Sequence, residues 1–506
     1  MRVSTVLTRK SSFADTLSEY QKGTIPEIEF NRFRVGLGIY PQRQESFYMV
    51  RTKIVAGVVD SEKLRHVAHL ADRFADKIVH FTSRQNIQFH FVKLDNVVTL
   101  LDRLNSSGIT TMGACGNTLR NVNVCDHSEA VAPLAVELSR HLMELDLAFE
   151  LPRKLKITLS DEVGGCATTL TSDIAIVRSE QSSMDGDWLF DLLVGGGQGA
   201  MPKLASKLHS GLHAKDLYRA IVAVLEVFAK EGHGVSRNRS RIKFLVDRIG
   251  IERFRTLYEE EYIKVALEYP FEIDPVLASP ARAGLTLLIR SLNADYTVKQ
   301  LLTIATILDM PEVNNNARIS KKGSLLLFGV PDSKIESLVK IVSDSSMNLE
   351  KLDDAPSITV CNGSSTCPKA LLNTKDLGET VESQFKDIFR SNNHLSIAVS
   401  GCPNSCANCY TANIGLIAGA KNINGESIAM YQLYLGGSEL AGKLALRTKV
   451  KIPTDQVIDI IRLIGSLFLK HRINNEHFRE LLDRVEVDYF AKAANDLIQS
   501  KSLKLV

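Results

Sequence analysis

The 506-residue chain has little of what marks several protein classes. It contains eight cysteines, 14 prolines and one tryptophan, and no stretch approaches the roughly 20 consecutive apolar residues that a membrane helix needs. Basic and acidic residues number 61 and 58, so the formal net charge is only +3. These shortages argue against a disulfide scaffold, a membrane-spanning protein and a general nucleic-acid binder.

The remaining composition is that of a globular protein. Apolar residues make up 44% of the chain and charged residues 24%, both close to the average for folded domains. The length predicts three or four folding units. The first twenty residues contain no apolar core of a secretory signal, and two of the cysteine pairs are closely spaced, so we expect a cytoplasmic protein.

Two segments about 240 residues apart are similar to each other. LKITLSDEVGGCATTLTSDIAI begins at Leu155, and LSIAVSGCPNSCANCYTANIGL begins at Leu395. Their alignment pairs Ser160 with Ser400, Cys166 with Cys406, Asp173 with Asn413, Ile174 with Ile414 and Gly195 with Gly436. Further upstream, Cys115 falls near Cys361. The chain is therefore predicted to consist of two homologous halves that meet around Tyr269–Ala281.

Each half is predicted to open with a small α+β unit. Strand and helix patterns alternate in SFYMVRTKIVAG, EKLRHVAHLADRFADKI, NIQFHFV and VVTLLDRL, and the same order recurs in AGLTLLIRSL, VKQLLTIATIL, GSLLLFGV and IESLVKIV. The larger unit of each half mixes strands with long helices, so we expect antiparallel or mixed sheets covered by helices. The predicted units span residues 33–110, 111–268, 269–350 and 351–506.

Four cysteines of the second half have the spacing of a metal centre. Cys361 and Cys367 are separated by five residues in CNGSSTC, and Cys402 and Cys406 by three in GCPNSC. Structural zinc usually takes pairs two to four residues apart, whereas iron–sulfur clusters accept more varied spacings. Gly363, Gly401 and Pro403 suit the tight loops that such a cluster requires. An iron–sulfur cluster is therefore favoured over zinc, with Cys409 as a fifth thiol that would compete with Cys406.

The first half lacks a complete set of these thiols. Its equivalent positions are predicted to hold Cys115, Asn121 or its neighbour Arg120, Glu162 and Cys166. Two thiols cannot hold a four-iron cluster, so we expect a cluster in the second half only. Cys115, Cys125 and Cys166 are then expected to be buried core thiols.

Basic residues recur in three short motifs of the first half. TSRQNIQFH contains Arg84, NTLRNVNVCD contains Arg120, and LPRKLK contains Arg153, Lys154 and Lys156. Lys154 and Lys156 alternate on a predicted strand, so both are expected on one face. Taken singly, each of these residues is expected to be a solvated surface charge.

Together, these motifs resemble the sulfite and nitrite reductases that contain siroheme and a [4Fe–4S] cluster, and most closely their hemoprotein subunit. The resemblance covers roughly Phe33 to Val487 and rests on the GCPNSC context of the four cysteines, on TSRQNIQFH, LRNV and LPRKLK, and on the duplication. It implies an α+β fold in which each half has a ferredoxin-like unit followed by a larger mixed-sheet α/β unit.

The resemblance also implies roles for individual residues. Cys361, Cys367, Cys402 and Cys406 would ligate the cluster, and Cys406 would also be the proximal ligand of the siroheme iron. Arg84, Arg120, Lys154 and Lys156 would surround the substrate anion. Asn404 stands in the cluster loop near the siroheme, and Arg153, Arg239 and Lys243 are candidates for holding siroheme carboxylates.

The implied reaction is the six-electron reduction of sulfite to sulfide. Lys156 favours sulfite, since plant-type nitrite enzymes tend to carry Asn at this position. Nitrite reduction to ammonia on the same cofactors, a precorrin-processing mono-oxygenase and a plain electron-transfer module remain as alternatives. The sequence contains neither the pattern of a flavin domain nor a Rossmann fingerprint, so electrons are expected from a separate ferredoxin or flavoprotein subunit.

Overall fold

The computed structural model describes residues 13–182, 188–234, 236, 239–268, 284–313, 315, 317–390, 395–423 and 425–503. The predicted junction at Tyr269–Ala281 lies outside these residues. Across the described ranges, no helix combines the length and the apolarity needed to cross a membrane.

The described strands form four five-stranded sheets. In chain order they are β1 (Ile39–Pro41), β2 (Phe47–Arg51), β3 (Val58–Val59), β4 (Ile78–Phe81), β5 (Ile87–Lys93), β6 (Leu119–Val124), β7 (Leu155–Val163), β8 (Ile174–Arg178), β9 (Leu189–Val194), β10 (Ser206–His213), β11 (Leu285–Arg290), β12 (Asp295–Thr297), β13 (Ala317–Ile319), β14 (Leu325–Val330), β15 (Asn348–Lys351), β16 (Ser357–Val360), β17 (Ser396–Ser400), β18 (Ile414–Ile423), β19 (Glu426–Leu435) and β20 (Leu446–Pro453).

The described α-helices connect and cover these sheets. They are α1 (Phe13–Gln21), α2 (Glu27–Gly36), α3 (Ser61–Phe74), α4 (Leu94–Ser106), α5 (Ala132–Leu142), α6 (Ala167–Leu170), α7 (Leu217–Glu231), α8 (Ile242–Ile249), α9 (Ile251–Glu268), α10 (Val298–Leu308), α11 (Ile335–Ser343), α12 (Lys375–Phe385), α13 (Val457–His471), α14 (Phe478–Val485) and α15 (Val487–Leu503). A capping residue marks the start of α3, where the Asp60 side chain accepts a hydrogen bond from the Lys63 N–H.

The two large sheets have the same topology, which confirms the duplication. Their strand orders are β10-β9-β8-β7-β6 and β16-β17-β18-β19-β20. In each sheet the first three strands along the chain are parallel, and the last two are antiparallel. The register repeats as well, since Ile157 pairs with Ile174 as Ile397 pairs with Ile414. The mixed sheets predicted from the sequence are therefore confirmed.

The two small sheets exchange an edge strand. Their orders are β1-β2-β5-β4-β12 and β15-β11-β14-β13-β3. β12, from the second half, pairs with β4 of the first half, and β3, from the first half, pairs with β13 of the second half. One hydrophobic core joins both sheets. The predicted α+β class with two small units is confirmed, and the exchange is a feature that the sequence did not indicate.

The chain divides into two compact units. The first contains the described residues up to Gly165, Thr169–Gly197 and Lys203–Leu349, and the second contains Cys166–Thr168, Gln198–Pro202 and the described residues from Glu350 onward. The first unit holds both small sheets, apart from the end of β15, and the first large sheet. The second unit holds the second large sheet with its own core.

Within the first unit, Arg318 on β13 joins a small sheet to the loop after β6. Its side chain is only 1% exposed. The guanidinium donates to the carbonyls of Ser128 at 2.5 Å, Cys125 at 2.8 Å and Asp126 at 3.1 Å. Because these carbonyls are buried, Arg318 satisfies acceptors that water does not reach.

We predict that Arg318→Met lowers the free energy of unfolding by at least about 3 kcal/mol, because several buried carbonyls lose their donor. Urea unfolding monitored by circular dichroism measures the loss. Arg65→Met is the matched control, since Arg65 pairs with Asp309 on the exposed surface, where an ion pair contributes little. Equal unfolding midpoints for the two variants would contradict the assignment.

Candidate metal centre and anion-binding cluster

The four cysteines predicted as metal ligands follow two neighbouring parallel strands of the second unit. β16 and β17 run parallel with Val360 opposite Val399, so their carboxyl ends meet at one edge. Cys361 comes directly after β16, and its N–H donates to the Val399 carbonyl at 3.1 Å. The loop with Cys402 and Cys406 follows β17. The strand ends therefore bring the two distant cysteine pairs to the same edge.

Backbone amides surround the sulfur of Cys361. Its Sγ accepts the N–H of Gly401 at 3.2 Å and that of Gly363 at 3.4 Å. Gly363 has a φ of +55°, and a Cβ there would lie 2.5 Å from the Thr374 nitrogen, so this close turn requires glycine. Amide donors of this kind stabilise a thiolate and tune a bound cluster.

The thiols of Cys361, Cys367, Cys402 and Cys406 lie near enough to influence one another electrostatically. Burial raises the pKa of Cys402 to about 11, and Cys406, Cys361 and Cys367 add to this effect. The backbone N–H of Asn404 opposes it by donating to the Cys402 sulfur. Cys402 is buried, whereas Cys406 is exposed. A bound metal would have to displace the protons of these thiols, as metal binding to cysteine does.

A second observation fits a cluster at these thiols. Thr366, next to Cys367, is 6% exposed, and its hydroxyl has no hydrogen-bond partner among the described residues. A buried hydroxyl without a partner is costly unless a ligand supplies one. Four convergent thiols with amide and hydroxyl donors around them suit an iron–sulfur cluster.

Cys409 is a core thiol, although Cys361 and Cys406 also influence it electrostatically. It is fully buried, and its thiol makes contacts of 3.2 Å with the Ser400 hydroxyl and 3.5 Å with the Leu416 carbonyl. Burial raises its pKa to about 12, so it stays protonated. The thiol thus serves as a neutral packing group and donor.

In the first half, the counterpart of Cys361 is Cys125 and not Cys115, which corrects the sequence alignment. The Cys125 N–H donates to the Leu159 carbonyl at 2.9 Å, just as that of Cys361 donates to Val399. Cys125 Sγ lies 3.8 Å from a carboxylate oxygen of Glu162. Cys115, Cys125 and Cys166 are all buried, as predicted.

Several basic residues of the first unit converge on Lys156. Burial lowers its pKa well below the ordinary value, and the positive charges of Arg84, Arg241 and Lys154 lower it further. Leu155 and Ile157 of β7 point into the core, whereas Lys154 and Lys156 are half-buried on the other side. Lys154 precedes β7, which begins at Leu155. We call Arg84, Lys154, Lys156 and Arg241 the basic cluster.

Arg120 belongs to a different group of side chains. It is 5% exposed, and it donates to the carbonyls of Ala114 and, at 3.0 Å, of Gly116. Its Nε has no partner among the described residues. Burial lowers its pKa, and Arg51 and Arg153 act in the same direction. Arg120 therefore holds the loop before β6, with one donor left over.

The other predicted cofactor-holding residues lie apart. Arg153 donates to the Asn117 side chain at 3.4 Å, and Arg239 is exposed. Lys243 is 2% exposed, and burial together with Arg241 lowers its pKa to about 8. Lys243 is thus the member of this set that lies beside the basic cluster.

The sequence reasoning missed three residues of these groups. Arg241 was hidden in the basic run SRNRSRIK, and Asp173 was noticed only as the counterpart of Asn413. Lys53 is 3% exposed, and burial and Arg120 lower its pKa to about 7. Its ammonium donates to the Leu119 carbonyl at 3.3 Å, directly before Arg120. Only three-dimensional contacts reveal these partners.

Family models identify the architecture. The nitrite and sulphite reductase 4Fe-4S domain matches residues 111–266 and 352–501, which is more than half of the chain. The nitrite/sulfite reductase ferredoxin-like half domain matches residues 40–107. This chain belongs to the nitrite and sulfite reductase family. The family uses siroheme and a [4Fe–4S] cluster.

Its relatives include both kinds of enzyme. Ferredoxin sulfite reductase 2 of Mycolicibacterium paratuberculosis is 27% identical, over 89% of this chain and 88% of its own. The assimilatory ferredoxin-dependent nitrite reductase of Haloferax mediterranei is 25% identical, over 94% and 92%. The solved structure of the Mycobacterium tuberculosis NirA protein covers 94% of both chains with a TM-score of 0.78 at 21% identity, which confirms the fold.

We predict that Cys361→Ala loses the iron of the purified protein and that Cys409→Ala retains it. The reason is that Cys361 lies among the convergent thiols, whereas Cys409 is a protonated core group. Iron and acid-labile sulfide per chain, measured after anaerobic purification, give the result. Loss of iron from both variants would make Cys409 a ligand, and retention in both would remove the cluster from this loop.

Proposed function

We propose that this protein reduces sulfite to sulfide in the cytoplasm, with six electrons from a separate ferredoxin or flavoprotein. The observation that carries the proposal is the charge around Lys156. The basic cluster gathers four cations beside the single carboxylate of Asp173, which suits a small anion. The relatives named as ferredoxin sulfite reductases support the same substrate and donor class.

The residues of both units fit the cofactors of the family. Cys361, Cys367, Cys402 and Cys406 would hold a [4Fe–4S] cluster, with Cys406 also the ligand of the siroheme iron. The Nε of Arg120 is a buried donor that would serve a siroheme carboxylate, and the buried Lys243 would supply a second positive charge to the carboxylates. When bound, these groups supply single electrons and an iron that binds the substrate.

Three members of the basic cluster, Arg84, Lys154 and Lys156, would bind and orient the anion. Two asparagines hold the backbone of Arg84 in place, because the side-chain amides of Asn121 and Asn123 donate to the Arg84 carbonyl at 3.2 and 2.8 Å. Its guanidinium, together with Lys154 and Lys156, would neutralise the sulfite charge. Arg120, on β6, is the fourth cation of this proposal.

Lys156 is the proposed proton donor. Breaking each S–O bond takes two electrons from the external donor and two protons onto the departing oxygen, which then leaves as water. Lys156 would supply one of these protons, and solvent the other. Neighbouring cations and burial lower the pKa of the Lys156 ammonium, so its Nζ gives up a proton more readily than an ordinary lysine does. The Lys156 amine would then take up a proton from solvent before the next step.

Nitrite reduction to ammonia is the second candidate. The relative from Haloferax mediterranei is a nitrite reductase that covers nearly the whole chain. The same cluster of cations would bind nitrite, which carries less charge than sulfite. Lys156 is therefore the residue on which the choice between the two anions depends.

We predict that anaerobically purified protein shows the visible absorption bands of siroheme and turns over sulfite with reduced methyl viologen as donor. The kcat/KM for sulfite is expected to exceed that for nitrite, because the basic cluster favours the more highly charged anion. A broad iron–sulfur shoulder alone, without turnover of either anion, would contradict the proposal. A higher kcat/KM for nitrite would replace it with the second candidate.

We predict that Lys156→Asn shifts the ratio of the two kcat/KM values from sulfite toward nitrite by about tenfold, or about 1.4 kcal/mol. Asn still donates a hydrogen bond but carries no charge. Lys207→Asn is the control, because Lys207 is an exposed lysine of β10 that pairs with Asp191. If both activities fall equally in Lys156→Asn, this lysine is a general anion anchor and does not select sulfite.

A further inference from the structure

A buried carboxylate ties Lys156 to Arg241. Asp173 lies directly before β8, and its side chain has no exposed surface. Its Oδ1 accepts from Nε and Nη2 of Arg241 at 3.1 and 2.7 Å. Its Oδ2 accepts the backbone N–H of Lys156 at 3.0 Å. One carboxylate therefore connects the start of β7 to the residue before α8.

The second half supplies an internal comparison. Asn413 occupies the place of Asp173, and Ser396 that of Lys156. The Asn413 side-chain oxygen accepts the Ser396 N–H at 2.8 Å, and its Nδ2 donates to the Gly437 carbonyl at 2.7 Å. A neutral amide is thus sufficient to hold this strand start. Holding the strand does not explain why the first copy uses a charged pair.

The first copy also makes room for the guanidinium. A Cβ on Gly197 would lie 2.9 Å from Nη2 and 3.0 Å from Nη1 of Arg241, so a larger residue would displace the head group. Gly197 pairs with Lys203 in an isolated bridge, and Ser438 makes the equivalent bridge with Lys443 in the second copy. Only the copy with Lys156 leaves this space open for an arginine.

We propose that Asp173 and Arg241 are positioning residues that fix Lys156 in the anion site and set its charge state. This inference rests on the proposed function of Lys156 as the proton donor. Asp173 supplies the negative charge that Asn413 lacks, and Arg241 balances it. The two residues act through Lys156 and need no contact with substrate.

The charges around Lys156 determine the sign of the expected effect. Arg84, Arg241 and Lys154 lower its pKa, and Asp173 raises it. Besides Lys156, the charged groups near the Asp173–Arg241 pair include Lys243 and, beside Lys243, Asp247 and Lys203. Removing the Asp173 charge therefore lowers the Lys156 pKa, and removing the Arg241 charge raises it.

The pH profile of sulfite turnover tests the inference. For the cofactor-loaded protein with reduced methyl viologen, Asp173→Asn is expected to move the alkaline limb of kcat/KM to lower pH by about one pH unit, and Arg241→Gln to higher pH. A purely structural role would lower activity without opposite shifts. Asp191→Asn is the control, because Asp191 is a buried carboxylate of the same sheet paired with Lys207, and its profile is expected to match the wild type.

Each outcome has one reading. The inference is overturned if the alkaline limb of kcat/KM stays at its wild-type pH in both Asp173→Asn and Arg241→Gln while the siroheme and iron contents are those of the wild type. It is also overturned if the limb moves in the same direction in both variants. If Asp173→Asn does not fold, the direction of the Arg241→Gln shift decides alone. Lys156→Met separates the two levels: persistence of the wild-type alkaline limb in this variant refutes Lys156 as the donor. If Lys156→Met loses the alkaline limb but Asp173→Asn and Arg241→Gln leave it unmoved, only the role of the Asp173–Arg241 pair is refuted.

Discussion

The parallel pairing of neighbouring strands in each large sheet is the constraint on which both candidate sites depend. Parallel neighbours align their carboxyl ends at one edge and their amino ends at the other. The second half uses the carboxyl ends, where Cys361 and the loop from Cys402 follow β16 and β17. The first half uses the amino ends, where Lys156 and Asp173 lie at the starts of β7 and β8. Duplication thus gave one scaffold two edges with different chemistry.

The cations of the basic cluster repel one another, and a bound anion would reduce this repulsion. Arg84, Lys154 and Arg241 all disfavour the protonated form of Lys156, and burial adds to the effect. These cations come from three separate elements: Arg84 precedes β5, Lys154 and Lys156 lie at the start of β7, and Arg241 precedes α8. The fold therefore holds them near one another in spite of their mutual repulsion. Preorganised charge of this kind stabilises an anion without reorganisation when it arrives. The same repulsion makes the lysine a stronger acid. In the proposed function, anion binding and proton donation would therefore have one physical origin.

Much of the fold was predictable because the repeat extends through regular strands. Ile174 and Ile414 occupy the same register, and the predicted helices and strands of the small units are present. The alignment failed upstream of β7 and β17, where the connecting segments differ in length. Cys125 and Cys361 are 236 residues apart rather than 240, and a hydrogen bond to the next strand, not a matching letter, identifies them as counterparts. The exchanged edge strands β3 and β12 are too short for any periodic signal.

The sites were predictable where spacing carries chemistry and not where partners are distant in sequence. Four cysteines in two short motifs point to one metal centre, whereas the basic run SRNRSRIK gives no reason to single out Arg241. The alignment of the two halves placed Asp173 opposite Asn413, but only the hydrogen bonds of each residue in the structure show how their roles differ. Burying an ion pair costs desolvation that a neutral amide avoids. The Asn413–Ser396 contact shows that the second large sheet holds the same strand start without an ion pair. The proposed control of the Lys156 charge would explain why the first large sheet bears the desolvation cost of Asp173 and Arg241.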